Sequence, residues 1–540
     1  MSFEVVEKDL LGRVGKIFTQ SGSIETPALL PVINPSIQLI SPREMKNGFR
    51  VEAVITNAYI LKKNLGEKVF SNDVHTLLDF EGPVMTDSGA YQLLIYKNVD
   101  MTPEEAVAIQ EGLRSDISVV LDVPTGWDVS RGHAKWTVEE TIKRAELTIR
   151  ISKKKHTLWT GPIQGGRYLD LVKYSAERMA GMDFDIHALG SPTPVMEQYL
   201  FEVLFDMIYA AKSNIPANRP LHLFGAGHPM VFPLVVALGC DTFDSAAYAL
   251  FARRDKYLSE GGTMSAGELE YLPCDCPICS SHTAKELRMT TKKDRELLLA
   301  RHNLHVCLAE IKRIKQAILD GRLWDLLRSR SLSHPALGRA IKKFRQIQDE
   351  LSSNTPSTKG KGLFILGEVD IYRPEVTTHV IKLRENYAKP EEAETLLLMP
   401  APEKRPYHSF LTTSRPKAAL LDQLSSGLLH LSFYSPVFGV VPSEIDEIYP
   451  LSQHELVDIG GKEAQDRMEK EIARYIEQNG YKTVILVHDA KRWTKTLIRS
   501  CALASSRSGK SFLLKTAADP WSEETLDSVC GLLEQRGEPR

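Results

Sequence analysis

Three cysteines fall within six residues, Cys274, Cys276 and Cys279 in CDCPIC, and His302 in RHNLH follows twenty-three residues later. Three thiols so close together cannot all hide in a core, and in a reducing compartment they are poor candidates for disulfides. A soft divalent cation is their natural partner. The pattern predicts one Zn2+ per chain in a Zn(Cys)3(His) centre, and four protein ligands leave no open position for an activated water, so the ion is expected to be structural. Thirty residues ahead of Cys274, Asp244 in GCDTFDS ends an apolar, strand-like run. A carboxylate there suggests chemistry on one side and a structural clamp on the other.

Other apolar runs also end in acidic or amide side chains: Asp87 in GPVMTDSGAYQ, Asp122 in DISVVLDVP and Gln164 in LWTGPIQGG. Two carboxylates from different strand ends are the minimum for displacement at a sugar carbon. One attacks or shields the developing oxocarbenium ion while the other moves a proton on the leaving group, and mutual burial separates their pKa values. One strand-end aspartate alone is better read as a turn cap, but three in register with an amide shift the balance toward a site. The glycines of DSGAYQ, IQGG and LFGAG, Gly225 among them, suit a place where backbone comes close to a flat ligand. Tyr91 and Phe224 are candidates to sandwich a nucleobase, with Phe224 equally readable as a core aromatic.

The elements that must position these groups recur through the first 250 residues. Eight β-rich runs end in polar or glycine-containing turns: 27–34, 52–60, 82–92, 116–124, 158–166, 183–191, 220–229 and 235–245. Helix-like stretches lie between them, for example TPEEAVAIQEGL, opened by Thr102 with Pro103 at the first helical position. Strand and helix alternating eight times predict an α/β fold, a (β/α)8 TIM barrel whose strand C-termini share one mouth.

Length and composition frame this reading. A chain of 540 residues implies more than one domain, and 43% hydrophobic with 25% charged residues and no membrane-length apolar run implies a soluble protein. MSFEVVEKDLLGRVGK lacks a secretory head and body, so a cytoplasmic location is expected. Cys240, Cys307, Cys501 and Cys530 read as packing residues. Net charge is −2, yet residues 285–345 carry 16 Lys or Arg against 6 Asp or Glu. That excess predicts a basic face for phosphate contacts, against the plainer reading of a solvated helix surface.

Together TDSGAYQ, LDVPTGWD, IQGG, ALGS, GCDTFDS and CDCPIC with the later HN resemble the tRNA-guanine transglycosylase family, most closely its archaeal branch, over roughly residues 1–350. The resemblance implies a zinc-containing barrel enzyme that exchanges an encoded guanine in tRNA for a 7-deazaguanine. In the archaeal branch this is 7-cyano-7-deazaguanine (preQ0), installed at position 15 of the D-arm through a covalent ribosyl-enzyme intermediate, on the way to archaeosine. By motif, Asp244 takes the nucleophile's place and Asp87 that of the acid/base, although the two roles are open to exchange. Asp122 matches the carboxylate that reads the base's amino and ring N–H groups, since an ionised carboxylate only accepts. Gln164 matches the amide on the carbonyl side, Ala188 in HALG a backbone contact to the base, and Tyr91 the stacking aromatic; Ser88, Phe224 and Gly225 complete the expected substrate-binding set. Cys274, Cys276, Cys279 and His302 match the zinc ligands, with the HN pairing favouring His302 over His305. Ala90 and Tyr91 depart from the commoner glycine or serine and phenylalanine without changing size class. The family also implies a homodimer and no membrane.

The barrel with its zinc-binding subdomain is expected to span 1–350, a linker and small β-rich domain 351–395, and an α/β accessory domain 396–540, giving small α+β units after the barrel. The second half resembles accessory domains of archaeal transglycosylases and of the related archaeosine synthase. There the synthase's Pro-Cys-Ser-x-x-Lys-Pro-Tyr meets Ala401 and Arg405 in the Cys and Lys places, so no second activity is carried over. No C-terminal PUA domain is recognisable, and a separate PUA-domain polypeptide is the expected supplier of that RNA grip. The rival readings are a non-catalytic tRNA-binding partner subunit and a zinc-ribbon nucleic-acid binder; Asp87, Asp122, Gln164 and Asp244 together speak against both.

Overall fold

Each of the eight apolar runs contains a strand, and in the computed structural model all eight join one parallel sheet. An antiparallel meander comes first, β1 (Phe3–Asp9), β2 (Gly12–Thr19) and β3 (Gly22–Thr26). The sheet then uses β4 (Ala28–Pro31), β5 (Val54–Asn57), β6 (Val84–Asp87), β7 (Ile117–Val119), β8 (Leu158–Ile163), β9 (Ile186–Leu189), β10 (Leu221–Leu223) and β11 (Thr242–Ser245). Their spatial order is β4-β11-β10-β9-β8-β7-β6-β5, and a parallel bridge between Val32 and Ile55 joins the two ends. The ring therefore closes as a TIM barrel. Ile33 N–H donates to the Ile55 carbonyl across that seam at 2.7 Å.

Strand alternation sends Leu30, Ile55, Met85, Val119 and Ile186 into one interior cluster, against which the meander packs Phe3, Ile17 and Ile24. Parallel pairing puts every strand C-terminus at the same mouth. One expectation fails at the last strand: residues 232–237 are the helix Phe232–Ala237, and β11 starts only at Thr242. That helix is buried throughout, with a proline in its first turn, and an apolar run buried on all sides has no period to separate helix from strand.

The structure describes residues 2–90, 101–153, 157–412, 420, 422, 424–457 and 460–534. Contacts divide the chain into two units, Met1–Phe344 and Arg345–Arg540. In the first, the hairpin β12 (Lys256–Ser259) and β13 (Gly262–Ser265) follows the barrel strands, then a short helix Pro277–Ser281 and the long helix Lys292–Leu319. The basic face expected over 285–345 is partly neutralised by acids from elsewhere in the same unit. Arg295 meets Asp255 at 2.7 Å, Arg301 Glu44 at 2.7 Å, Lys315 Glu25 at 2.8 Å, Arg339 Glu202 at 2.9 Å and Lys343 Asp206 at 2.5 Å, all acids outside the segment. Part of the local positive excess thus binds the segment to the rest of its own unit.

The second unit is built on five strands, β15 (Thr395–Pro400), β16 (Leu429–Ser435), β17 (Gly439–Pro442), β19 (Thr483–Asp489) and β20 (Ser511–Ala517), in the order β17-β16-β15-β19-β20. All neighbours are parallel except β16 and β17. A separate pair joins β14 (Leu363–Ile365) to β18 (His454–Leu456). The β-rich character expected of 351–395 is corrected here: β14 has three residues, and most of GLFILGEVDIYRPEVTTHVIKL is a 3-10 turn and the helix Pro374–Glu385. Val376 and Val380, four apart, are both buried on that helix, and Pro374 suits its first turn. Helical spacing outweighs the β-branched composition. Among the described residues no helix is long and apolar enough to cross a membrane.

Candidate active site

Asp87 is the last residue of β6, and its register partner Asn57 is the last of β5. The Asn57 side chain works in two directions. Its Oδ1 accepts from Ile60 N–H at 3.0 Å, capping the helix Ala58–Leu65, while Nδ2 donates to Asp87 Oδ2 at 2.9 Å. Burial raises the Asp87 carboxyl to about 7, helped by the negative charges of Asp122 and Asp244 and opposed by the Gly89 and Ser88 N–H groups. Carboxylates far apart in sequence thus sit within electrostatic reach of one another. A carboxyl that titrates near neutrality can give and take a proton at working pH.

Asp122 follows β7 and is raised to about 6, by burial above all, with Gln164 and the Arg144 charge pulling it down. Gln164 Nε2 donates to Asp122 Oδ2. The Gln164 Oε1 is already held, by Thr125 N–H at 2.9 Å and the Ser191 hydroxyl at 3.1 Å. The amide is therefore fixed in orientation, and it has a second N–H beyond the one given to Asp122.

Asp244 lies in β11 with 13% of its side chain exposed. Its Oδ1 accepts from Gly225 N–H at 2.9 Å and lies 3.2 Å from His222 Nε2. Gly225 has φ +69°, and a Cβ there would stand 2.5 Å from Thr193 Oγ1, so the position requires glycine. Gly225 acts through its backbone on Asp244.

Ala188 is fully buried in β9, and Phe224 is half-buried against the barrel interior with its ring edge-on to His222. Ser88 is buried, and its hydroxyl donates to the Val120 carbonyl at 3.2 Å rather than opening toward a ligand. Tyr91 lies outside the described residues. Two groups escaped the sequence reading: Asn57, legible only as a polar strand end in ITNAY, and His222, hidden in the apolar run PLHLFG.

Cys274, Cys276, Cys279 and His302 come together with their ligand atoms all within 4.8 Å of one another. His302 Nδ1 is 3.4 Å from the sulfurs of Cys276 and Cys279, while Nε2 donates to the Leu258 carbonyl at 2.9 Å. That second contact fixes the tautomer with Nδ1 toward the thiols. Tyr257 stacks on the imidazole at 3.6 Å between centroids. His305 packs on Phe49 instead. The HN pairing also has a reason: Asn303 accepts from Leu258 N–H and donates to the carbonyls of Tyr248 and Lys256, tying the long helix to the hairpin beside the cluster. Three sulfurs and one imidazole at this spacing suit a four-coordinate metal ion.

Comparison with known proteins agrees with this geometry. A family profile described as Queuine tRNA-ribosyltransferase matches residues 9–336, and one described as Domain of unknown function (DUF5591) matches residues 376–531. A tRNA-guanine(15) transglycosylase of Methanocaldococcus jannaschii is 41% identical over 468 residues, 85% of this chain and 69% of the relative. One of Aeropyrum pernix is 41% identical over 458 residues, 84% of this chain and 87% of the relative. One of Saccharolobus solfataricus is 40% identical over 499 residues, 91% of this chain and 97% of the relative. Identity at this level across most of both partners, added to a profile match over more than half of the sequence, means that the chain belongs to the queuine tRNA-ribosyltransferase family, a family of transferases.

Proposed function

We propose that this enzyme exchanges guanine at position 15 in the D-arm of tRNA for preQ0 through a covalent ribosyl-enzyme intermediate, a step toward archaeosine. The observation that carries the reading is the convergence of Asp87, Asp122 and Asp244 from the ends of parallel strands at one barrel mouth, each held by a neighbour, Asn57, Gln164 and Gly225 N–H in turn. In this scheme an Asp244 carboxylate oxygen bonds to ribose C1′ as the C1′–N9 bond breaks. The bond's electrons leave with guanine, which takes a proton from Asp87. The incoming base gives its N9 proton to Asp87 and attacks C1′, releasing Asp244. Asp122 accepts from the amino and ring N–H groups of either base, and Gln164 holds it in place.

Relatives named tRNA-guanine(15) transglycosylase support the tRNA position. The donor set Cys274, Cys276, Cys279 and His302 supports Zn2+ in a purely structural role, because all four positions are filled by protein. A base in the D-arm is normally stacked, so binding carries an unstacking cost of a few kcal/mol. The test is release of labelled guanine from tRNA driven by free preQ0. Release by the wild type and its loss in Asp244→Asn are expected, and an Asp244→Asn protein with undiminished exchange would sink the reading.

A further inference from the structure

The barrel interior is lined by Leu30, Ile55, Met85, Val119 and Ile186, and His222 interrupts that lining with no solvent exposure at all. An apolar side chain would fill the space without needing partners, whereas a buried imidazole needs both nitrogens satisfied. Both are engaged. His222 Nδ1 lies 2.9 Å from Thr242 Oγ1, and Nε2 lies 3.2 Å from Asp244 Oδ1. Thr242 and Asp244 are two apart on β11 and so face the same side, and His222 is the register partner of Thr242 on β10. The Phe224 ring stands edge-on to the imidazole at 4.8 Å, closing off rotation.

We infer that His222 is a positioning residue for Asp244, an inference that rests on the reading of Asp244 as the group that bonds ribose C1′. Thr242 donates its hydroxyl hydrogen to Nδ1, which leaves the proton on Nε2 to be given to Asp244 Oδ1. Gly225 N–H donates to the same oxygen. Among the described residues, both hydrogen bonds to this carboxylate fall on Oδ1, which holds that oxygen and leaves Oδ2 as the one to bond the sugar in this assignment. The other charged groups acting across the mouth are Asp87 and Asp122, and among the described residues the Asp244 carboxylate is hydrogen-bonded to neither of them, only to His222 and Gly225. His222 makes no contact with substrate in this assignment; it acts only through Asp244.

The test uses the full chain, tRNA carrying labelled guanine and free preQ0, with kcat and the KM for each substrate measured separately. His222→Phe should lower kcat by about tenfold or more while leaving both KM values within about twofold, the pattern of a lost contribution to the chemical step. His222→Gln, whose amide can donate to Asp244, should regain most of the loss. Thr242→Val should fall between the two. A folded His222→Phe protein with wild-type kcat overturns the inference, as does a His222→Gln protein no faster than His222→Phe. If His222→Phe does not fold, an undiminished kcat in Thr242→Val overturns it. Full exchange by Asp244→Asn removes the parent reading as well, whereas an inactive Asp244→Asn beside a wild-type His222→Phe removes this inference alone.

Discussion

Gly190 and Gln164 approach so closely that a Cβ on Gly190 would stand 2.2 Å from the Gln164 amide nitrogen. That nitrogen is the one that holds Asp122. Gly190→Ala is therefore expected to push the amide off Asp122 and raise the KM for the incoming base by about tenfold, the cost of a lost hydrogen bond to a charged group. Steady-state kinetics against preQ0 checks this, and thermal unfolding should show a much smaller change than kinetics does.

Asp87 carries a stability cost that its substitution should reveal. Its folded carboxyl is raised from 3.8 to about 7, so the folded state holds a proton that the unfolded chain has lost. The associated stability is fully present below pH 3.8 and is lost as pH rises through about 7. Asp87→Asn should abolish exchange yet be more stable than wild type at pH 8, by on the order of 2 kcal/mol, with little gain at pH 4. The full shift would correspond to more, but this residue keeps a partly open face. Urea unfolding at the two pH values measures the difference.

The cluster of Cys274, Cys276, Cys279 and His302 should separate from the chemistry. Cys276→Ala, or treatment with a strong chelator, is expected to empty the site and lower the melting temperature by several degrees, since Tyr257, Leu258 and the helix Lys292–Leu319 all meet at His302. Single-turnover exchange by the surviving folded fraction should change far less than the melting temperature. His305→Ala, which loses only a ring contact with Phe49, should keep one metal per chain by elemental analysis. A Cys276→Ala protein of wild-type stability would refute the structural role.

A second titratable clamp ties the loop and helix elements before β6 to the start of β7. His75 Nε2 meets the buried Asp116 at 2.8 Å and its Nδ1 meets Asp73 at 2.9 Å. The Asp116 hydrogen bond raises the imidazole above its usual value, against burial and with help from Asp73. Stability from a raised histidine is complete below its unfolded pKa of 6.5 and is lost as pH climbs through the folded value. His75→Gln should therefore cost on the order of 1 kcal/mol at pH 6 and less at pH 9. Denaturant midpoints at the two pH values would show it.

How much of this could be read before folding depends on the distance over which each feature is encoded. The eight strand-end motifs and the cysteine triplet are local: turn chemistry, alternation and a six-residue spacing carry them, and Asp87, Asp122, Gln164, Asp244 and Cys274 with its partners could all be named from the string of residues. The same locality misled where composition was ambiguous, at the helix Phe232–Ala237 and in the helical stretch Pro374–Glu385. Only barrel closure brings Asn57 to Asp87 and His222 to Asp244. Only tertiary packing sets Arg301 against Glu44, 257 residues away, and so removes part of a basic face that a linear count of charges predicts. Such pairs are decided by strand register and by which surfaces meet, and neither leaves a mark on the residues at either end taken alone.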